Sequence, residues 1–578
     1  MKELYLGNEA IARGAWEAGC TVAAAYPGTP STEITESVAK YDDIYAEWSP
    51  NEKVALEVGI GASFAGARTM VCMKHVGLNV AADPLFTASY TGVNGGLVIV
   101  VADDPGMHSS QNEQDSRYYA KSAHIPMLEP SSSQEAKDFV KLAFELSEQY
   151  DTPVLVRMTT RVSHSRGLVE LSERNEAGLK EYKKDIAKYV MMPGMARARH
   201  KVVEAREIKL AHDADSLDIN CEEMAGKDIG VITSGLCYQY TKEALPDASV
   251  LKLGMVYPLP MEKIRAFAKK VKKIYVIEEL EPIIEKELKA DGIDVTGKEI
   301  FTIQGEYSAN MIKAAVLGEK SGDIESEPDL PIRPPIMCPG CPHRGAYFIM
   351  KKLKLVVNGD IGCYTLGALP PVASMDTCVC MGASIGMTHG MEKARGKDFS
   401  QKEVAIIGDS TFMHSGVTGL IDVVYNGGNS TVIIVDNRTT GMTGHQNNPT
   451  NGMNIKGDPA YAIDFETLCR AVGVKHIQTI DPFDLTGFES GLKEALAFDG
   501  PSVIISKREC ALLDKSKWEP ACYITSDTCI GCKKCLKLGC PALVNDGKKV
   551  KVDPTLCVGC GLCIDVCPTH SIHRGEAK

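Results

Sequence analysis

The sequence has no surplus of positive charge: 63 Lys and Arg stand against 75 Asp and Glu, a net charge of -12. That deficit argues against nucleic acid or a membrane surface as partner, since both recruit basic residues. Long apolar runs are missing too, and nothing approaches the roughly 20 residues a membrane helix needs. The start, MKELYLGNEAIARGAWEAG, has no apolar segment flanked by basic residues, so no export signal is expected. No internal repeat stands out beyond two cysteine runs. Cysteine itself is abundant, with 20 residues in a chain of 578. Without an export signal these thiols point to a reducing cytoplasm and to metal ligation, not disulfides. The length predicts several cores, roughly three or four domains.

Eight of the cysteines fall between Cys529 and Cys567. They form two runs, Cys529-x2-Cys532-x2-Cys535-x4-Cys540-Pro541 and Cys557-x2-Cys560-x2-Cys563-x3-Cys567-Pro568. Such spacing lets a tight loop put three sulfurs on one cubane, while the fourth sulfur of each run reaches the other cubane. One [4Fe-4S] cluster is therefore expected on Cys529, Cys532, Cys535 and Cys567, and a second on Cys557, Cys560, Cys563 and Cys540. The extra residue before Cys540 departs from the common spacing. Zinc is the alternative, but zinc sites seldom show three cysteines two apart followed by Cys-Pro.

Buried-type strands alternate with amphipathic helices through the first 165 or so residues: TVAAAY, TMVCMKHVG, GGLVIVVADDPG and TPVLVRMTT. Apolar strands separated by helices imply a parallel sheet covered on both faces. A second α/β region begins near Asp228 with DIGVITSG, VLKLGMVYPLP and KKIYVIEEL. The basic stretch before it reads as a solvated connecting helix rather than a binding patch. Pro328, Pro331, Pro334, Pro335 and Pro339 then mark the clearest boundary, because repeated proline blocks regular structure. A third α/β region follows with strands LKLVVNGDIG, EVAIIGDS, STVIIVDN and PSVIISK. The expected organisation is 1–165, 166–325, 335–515 and a cysteine-rich module over 520–578.

In the third region one strand ends in Gly408-Asp409 and the next in Asp436-Asn437. Polar groups at the carboxyl ends of neighbouring parallel strands lie where open α/β sheets bind ligands. A carboxylate and an amide oxygen are hard donors suited to Mg²⁺ that also takes phosphate oxygens and water. GDS followed by VDN looks like the thiamine diphosphate fingerprint, with Ser410 in place of its usual last glycine. By that pattern Asp409, Asn437 and the Thr439 carbonyl hold the metal. Two glutamates, Glu52 and Glu57, lie on the helix of SPNEKVALEVGIGASFAGAR, and Glu52 at its start is the better placed to project into an interface.

YPGTPSTEI, NEKVALE, CPGCPHRG, NGDIGCYTLG, GDSTFMHSG and DNRTTGMTGHQ occur in order over essentially the whole chain. Together they resemble the alpha subunits of indolepyruvate:ferredoxin oxidoreductases, within the thiamine-dependent 2-oxoacid:ferredoxin oxidoreductases. The resemblance implies two thiamine diphosphate-binding parallel-sheet domains, an intervening α/β domain and a C-terminal two-cluster ferredoxin-like module. It implies that Glu52 activates the cofactor, that Thr29 lies close to the reacting carbon, and that Gly362 and Cys363 line the cofactor cleft with Gly408 and Ser410. It further implies oxidative decarboxylation of an aryl 2-oxo acid to acyl-CoA and CO₂, with electrons passed to ferredoxin. Nothing in the chain corresponds to the domain that helps bind coenzyme A, so a smaller beta subunit is expected, in an α2β2 assembly. Pyruvate or branched-chain 2-oxo acids as substrates, a non-oxidative decarboxylase, and an electron-carrying subunit with a relic thiamine fold are the alternatives.

Four cysteines outside the tail converge in the same region. Cys338 and Cys341 open it, Cys363 follows a strand, and Cys510 ends another. Related oxidoreductases carry a cluster near thiamine with ligands in this order, which implies a third [4Fe-4S] cluster. Reduced core cysteines or a structural zinc are the other readings.

Overall fold

The computed structural model describes residues 1–319, 330–331 and 334–575. The chain forms two compact units, Met1–Glu327 and Pro328–Lys578. Pro328, of the proline-rich boundary, lies outside the described residues.

The first unit is built on a seven-stranded sheet. Its order is Met255–Tyr257, Met127–Leu128, Val154–Thr159, Leu97–Asp103, Thr69–Lys74, Val22–Ala25 and Tyr45–Trp48. All neighbours are parallel except the first pair. Every residue of Thr69–Lys74, Leu97–Asp103 and Val154–Thr159 is buried, as a sheet covered on both faces requires. Each fully buried Val, Leu or Ile side chain contributes about 1.5–3 kcal/mol. A second, four-stranded sheet in this unit has the order Lys273–Ile277, Ile229–Ser234, Ser249–Leu253 and Cys221–Glu223. VLKLGMVYPLP is therefore not one strand. It breaks at Gly254, and Met255–Tyr257 crosses to the edge of the seven-stranded sheet. The basic segment forms the helix Pro193–Ala214, which is more than a solvated connector. Its Arg206 is 6 % exposed and donates to the Ser89 and Asp151 carbonyls.

The second unit holds a five-stranded, wholly parallel sheet ordered Val356–Asn358, Glu403–Gly408, Thr431–Asp436, Ser502–Lys507 and His476–Ile480. Period-two alternation divides its side chains between two cores. Val404, Ile406, Ile433 and Val435 pack on one face, and Ala405, Ile407, Val432 and Ile434 on the other. Gly408 pairs with Val435, which brings the ends of these two central strands side by side. The cysteine-rich tail follows as two small antiparallel pairs, Cys522–Ile524 with Ile572–Arg574 and Leu543–Asp546 with Lys549–Val552. It packs on the same unit: Arg344 donates to the Leu538 carbonyl at 2.8 Å. Among the described residues no helix is long and apolar enough to cross a membrane.

Candidate active site and iron–sulfur ligands

In the first unit, Thr29 lies half-buried in the turn after strand Val22–Ala25. That turn is pinned by Asn8 Nδ2, which donates to the Pro30 carbonyl at 2.7 Å, and by Ser31 Oγ, which donates to the Gly28 carbonyl at 2.8 Å. Glu52 opens the helix Glu52–Phe64, whose N-cap Asn51 accepts from the Val54 N–H at 2.9 Å. The two candidate glutamates have different surroundings. Glu52 is 4 % exposed, whereas Glu57 sits on the surface in an ion pair with Lys53.

In the second unit, Asp409 begins a helical turn directly after its strand and is buried. Ser410 lies within that turn, where helical backbone suits any L-residue, so the departure from glycine brings no strain. Its hydroxyl accepts from Thr440 Oγ1 at 3.0 Å. Arg438 takes a left-handed φ of 61°, turning the chain back between Asn437 and Thr439. In one orientation of its amide, Asn437 turns Oδ1 toward Asp409 Oδ1 and the Thr439 carbonyl oxygen, three acceptors with no proton between them. In the other, its NH₂ donates to both, at 3.3 and 2.8 Å. Burial, and then the neighbouring Asp436 carboxylate, push Asp409 up to about 7. Buried oxygens that meet in this way fit a hard divalent cation. Asp436, already marked by its strand end, belongs to this corner, as does Asn448, whose Nδ2 donates to Asp409 at 3.3 Å and which escaped the sequence reading. The Tyr364 ring fills the space where side chains at Gly362 and Gly408 would begin, 2.4 and 2.6 Å from the positions of their absent Cβ atoms. Asp360, also missed, accepts from the Gly382 and Ser384 N–H groups at 2.8 and 3.0 Å and so orders the start of helix Ala383–Arg395.

Cys363 adjoins this corner. The position of a Cβ on Gly441 is 3.3 Å from its Sγ and 3.8 Å from Asn437 Nδ2. Burial, then Cys510, Cys338 and Asp409, push the Cys363 thiol up to about 11. Burial pushes Cys341 up to about 12, with Cys363 and Cys338 adding to it. Cys510 is raised by burial and by Cys338. Each of the four cysteines expected beside the cofactor thus feels the charge of at least two of the others.

The tail cysteines fall into two neighbourhoods. Cys535 is raised by burial and by Cys532 of its own run and Cys567 of the other. A cavity gathers Cys540 with Cys557, Cys560 and Cys563, despite the extra residue before Cys540. Cys529 is half-buried at the start of the first run. Cys341 and Cys522 line the same cavity, so the two cysteine groups adjoin. Among the described residues no three His, Cys, Asp or Glu side chains close to metal-binding geometry, so these are neighbouring thiols and not finished cages. The donor set, all sulfur, nevertheless fits thiophilic clusters.

Residues 13–218 match the family described as pyruvate flavodoxin/ferredoxin oxidoreductase, thiamine diP-bdg. Residues 360–506 match the thiamine pyrophosphate enzyme C-terminal TPP binding domain, and 550–573 the 4Fe-4S binding domain. Fold and motifs define the class as the thiamine-dependent 2-oxoacid oxidoreductases. The chain is 41 % identical to indolepyruvate oxidoreductase subunit IorA of Archaeoglobus fulgidus, over 100 % of this chain and 98 % of the relative. The subunit of the same name from Thermococcus kodakarensis is 42 % identical over 98 % and 96 %, and that of Methanothermobacter thermautotrophicus 40 % over 100 % and 98 %. The chain belongs to the indolepyruvate oxidoreductase subunit IorA family.

Proposed function

We propose that this chain is the alpha subunit of an enzyme that oxidises aryl 2-oxo acids, indolepyruvate among them, to acyl-CoA and CO₂. Two electrons leave each substrate and pass singly through [4Fe-4S] clusters to two ferredoxins. The observation that carries the reading is the meeting of Asp409, Asn437 and Thr439 oxygens at the strand ends, with Cys363 beside them. Asp409, the Asn437 amide and the Thr439 carbonyl would hold Mg²⁺, and Gly362, Gly408 and Ser410 would line the cofactor cleft, the two glycines making room for the Tyr364 ring. Bound thiamine diphosphate would supply the nucleophilic carbon and the electron sink for loss of CO₂. Glu52 would hold the proton that activates the bound cofactor, and Thr29 would orient the reacting ketone. Cys338, Cys341, Cys363 and Cys510 would hold a third cluster near the tail pair. This position matters because electron transfer weakens steeply with distance, and Cys341 already borders the cavity of Cys540, Cys557, Cys560 and Cys563.

A smaller beta subunit completes the coenzyme A site in an α2β2 cytoplasmic assembly. The test is anaerobic coexpression with that subunit and a 2-oxo-acid panel read by viologen reduction. Indolepyruvate and phenylpyruvate should exceed pyruvate in kcat/KM by at least about 10-fold, since a large flat side chain gains binding that a methyl cannot. A clear preference for pyruvate or branched-chain acids contradicts the aryl assignment, and aldehyde formed without viologen reduction contradicts the oxidative one.

A further inference from the structure

Lys74 ends the central strand Thr69–Lys74 of the first unit at its carboxyl end, the edge where open parallel sheets bind ligands. It is 7 % exposed, and among the described residues it forms no ion pair with Asp or Glu. Burial pushes its ammonium down to about 8, with Asp104 the one carboxylate whose charge opposes that. Asp104 is itself engaged, accepting from the Ser109 N–H at 2.8 Å, Ser110 Oγ at 2.6 Å and Thr160 Oγ1 at 2.7 Å. A buried cation without a paired anion is costly, and it persists where an anionic ligand completes the pair.

The side chain lies against the turn that carries Thr29. The position of a Cβ on Gly28 is 3.1 Å from Lys74 Cβ and 3.8 Å from its Cδ. An ammonium has three donors, of which the Ser109 carbonyl takes one. Two remain for a carboxylate. We propose that Lys74 binds the carboxylate of the 2-oxo acid, so that its ketone carbon is presented beside Thr29. This rests on the functional reading above and assigns to this chain the residue that requires an acid rather than an aldehyde or ketone. It also gives the charged group of the substrate a fixed anchor while the aryl group varies.

The test uses the assembled enzyme with phenylpyruvate as substrate and phenylpyruvate methyl ester, which lacks the charge, as competitor. Lys74→Met should raise KM for phenylpyruvate about 30-fold or more, the worth of a charge-assisted hydrogen bond, while kcat falls far less. The Ki of the ester should stay unchanged, Lys74→Arg should recover most of the lost KM, and thiamine diphosphate affinity by calorimetry should match the wild type. A lysine that merely anchors the loop through Ser109 would weaken acid and ester alike. That result, or an unchanged KM in an active Lys74→Met enzyme, overturns the assignment alone. A wild type inert toward every 2-oxo acid overturns the functional reading and this assignment with it.

Discussion

Glu52 lies directly against Gly77: a Cβ there would fall 2.6 Å from both Cγ and Oε1 of the glutamate. The helix that follows strand Thr69–Lys74 therefore accommodates the Glu52 carboxylate only because position 77 has no side chain. Glu52→Gln should keep thiamine diphosphate bound and lower kcat by about 100-fold or more, the usual worth of a positioned proton-transfer group. Gly77→Ala should lower kcat in the same direction by displacing that carboxylate, and Glu57→Gln should leave the rate unchanged. Steady-state kinetics with calorimetric cofactor titration check all three. A near wild-type rate in Glu52→Gln would remove Glu52 from the mechanism.

At the other strand end, Asp409→Ala should abolish Mg²⁺-dependent retention of thiamine diphosphate, because a hard oxygen donor is lost. The expected loss in affinity is at least about 100-fold by calorimetry in Mg²⁺ buffer, a little under 3 kcal/mol. Asn448→Ala, which removes only a hydrogen bond to Asp409, should weaken retention by a smaller factor.

The cysteine assignment gives a count. Three cubanes hold about twelve irons per chain, and the tail alone about eight. Anaerobically purified protein should give the higher number, and Cys363→Ala should lower it towards eight while leaving the tail clusters visible by electron paramagnetic resonance. A chain truncated after Trp518 that is colourless and iron-free would rule out the third cluster.

Glu17 allows a stability prediction that is independent of the chemistry. It is 1 % exposed and accepts from Arg13 Nε, Lys137 Nζ and Lys141 Nζ, each at 3.0 Å, and from the Ser172 N–H at 2.8 Å. Burial alone would raise this carboxyl, but the Ser172, Arg13, Lys141 and Lys137 bonds hold it down at about 2. The folded value lies below the unfolded one, so the contribution is complete above about pH 4.5 and is lost as pH falls towards 2. Glu17→Gln should cost about 3 kcal/mol at neutral pH, and the gap to wild type should narrow on acidification. Denaturant unfolding followed by circular dichroism measures it.

Much of this was legible because the local signals were strong. The strands ending in Gly408-Asp409 and Asp436-Asn437 announce themselves by continuous apolar runs, and the tail cysteines by spacing. Two features of the sheets were not legible. His476–Ile480 is only half-buried, so HIQTI carries no continuous apolar run to mark it, and the break at Gly254 depends on which sheet edge is open to each half of VLKLGMVYPLP. Lys74 was missed because one lysine after an apolar strand reads as a solvated charge. Asn448 lies 39 positions from Asp409, a distance that no short motif spans.

The central claim is that electrons from a 2-oxo acid enter the clusters of this chain. It is tested by adding phenylpyruvate or indolepyruvate anaerobically to the assembled enzyme with thiamine diphosphate, Mg²⁺ and coenzyme A but no external acceptor, and recording absorbance and electron paramagnetic resonance. The account predicts bleaching of the cluster absorbance and the spectrum of reduced [4Fe-4S] centres within the first turnover, both absent in Asp409→Ala. Decarboxylation that leaves the clusters oxidised would contradict it.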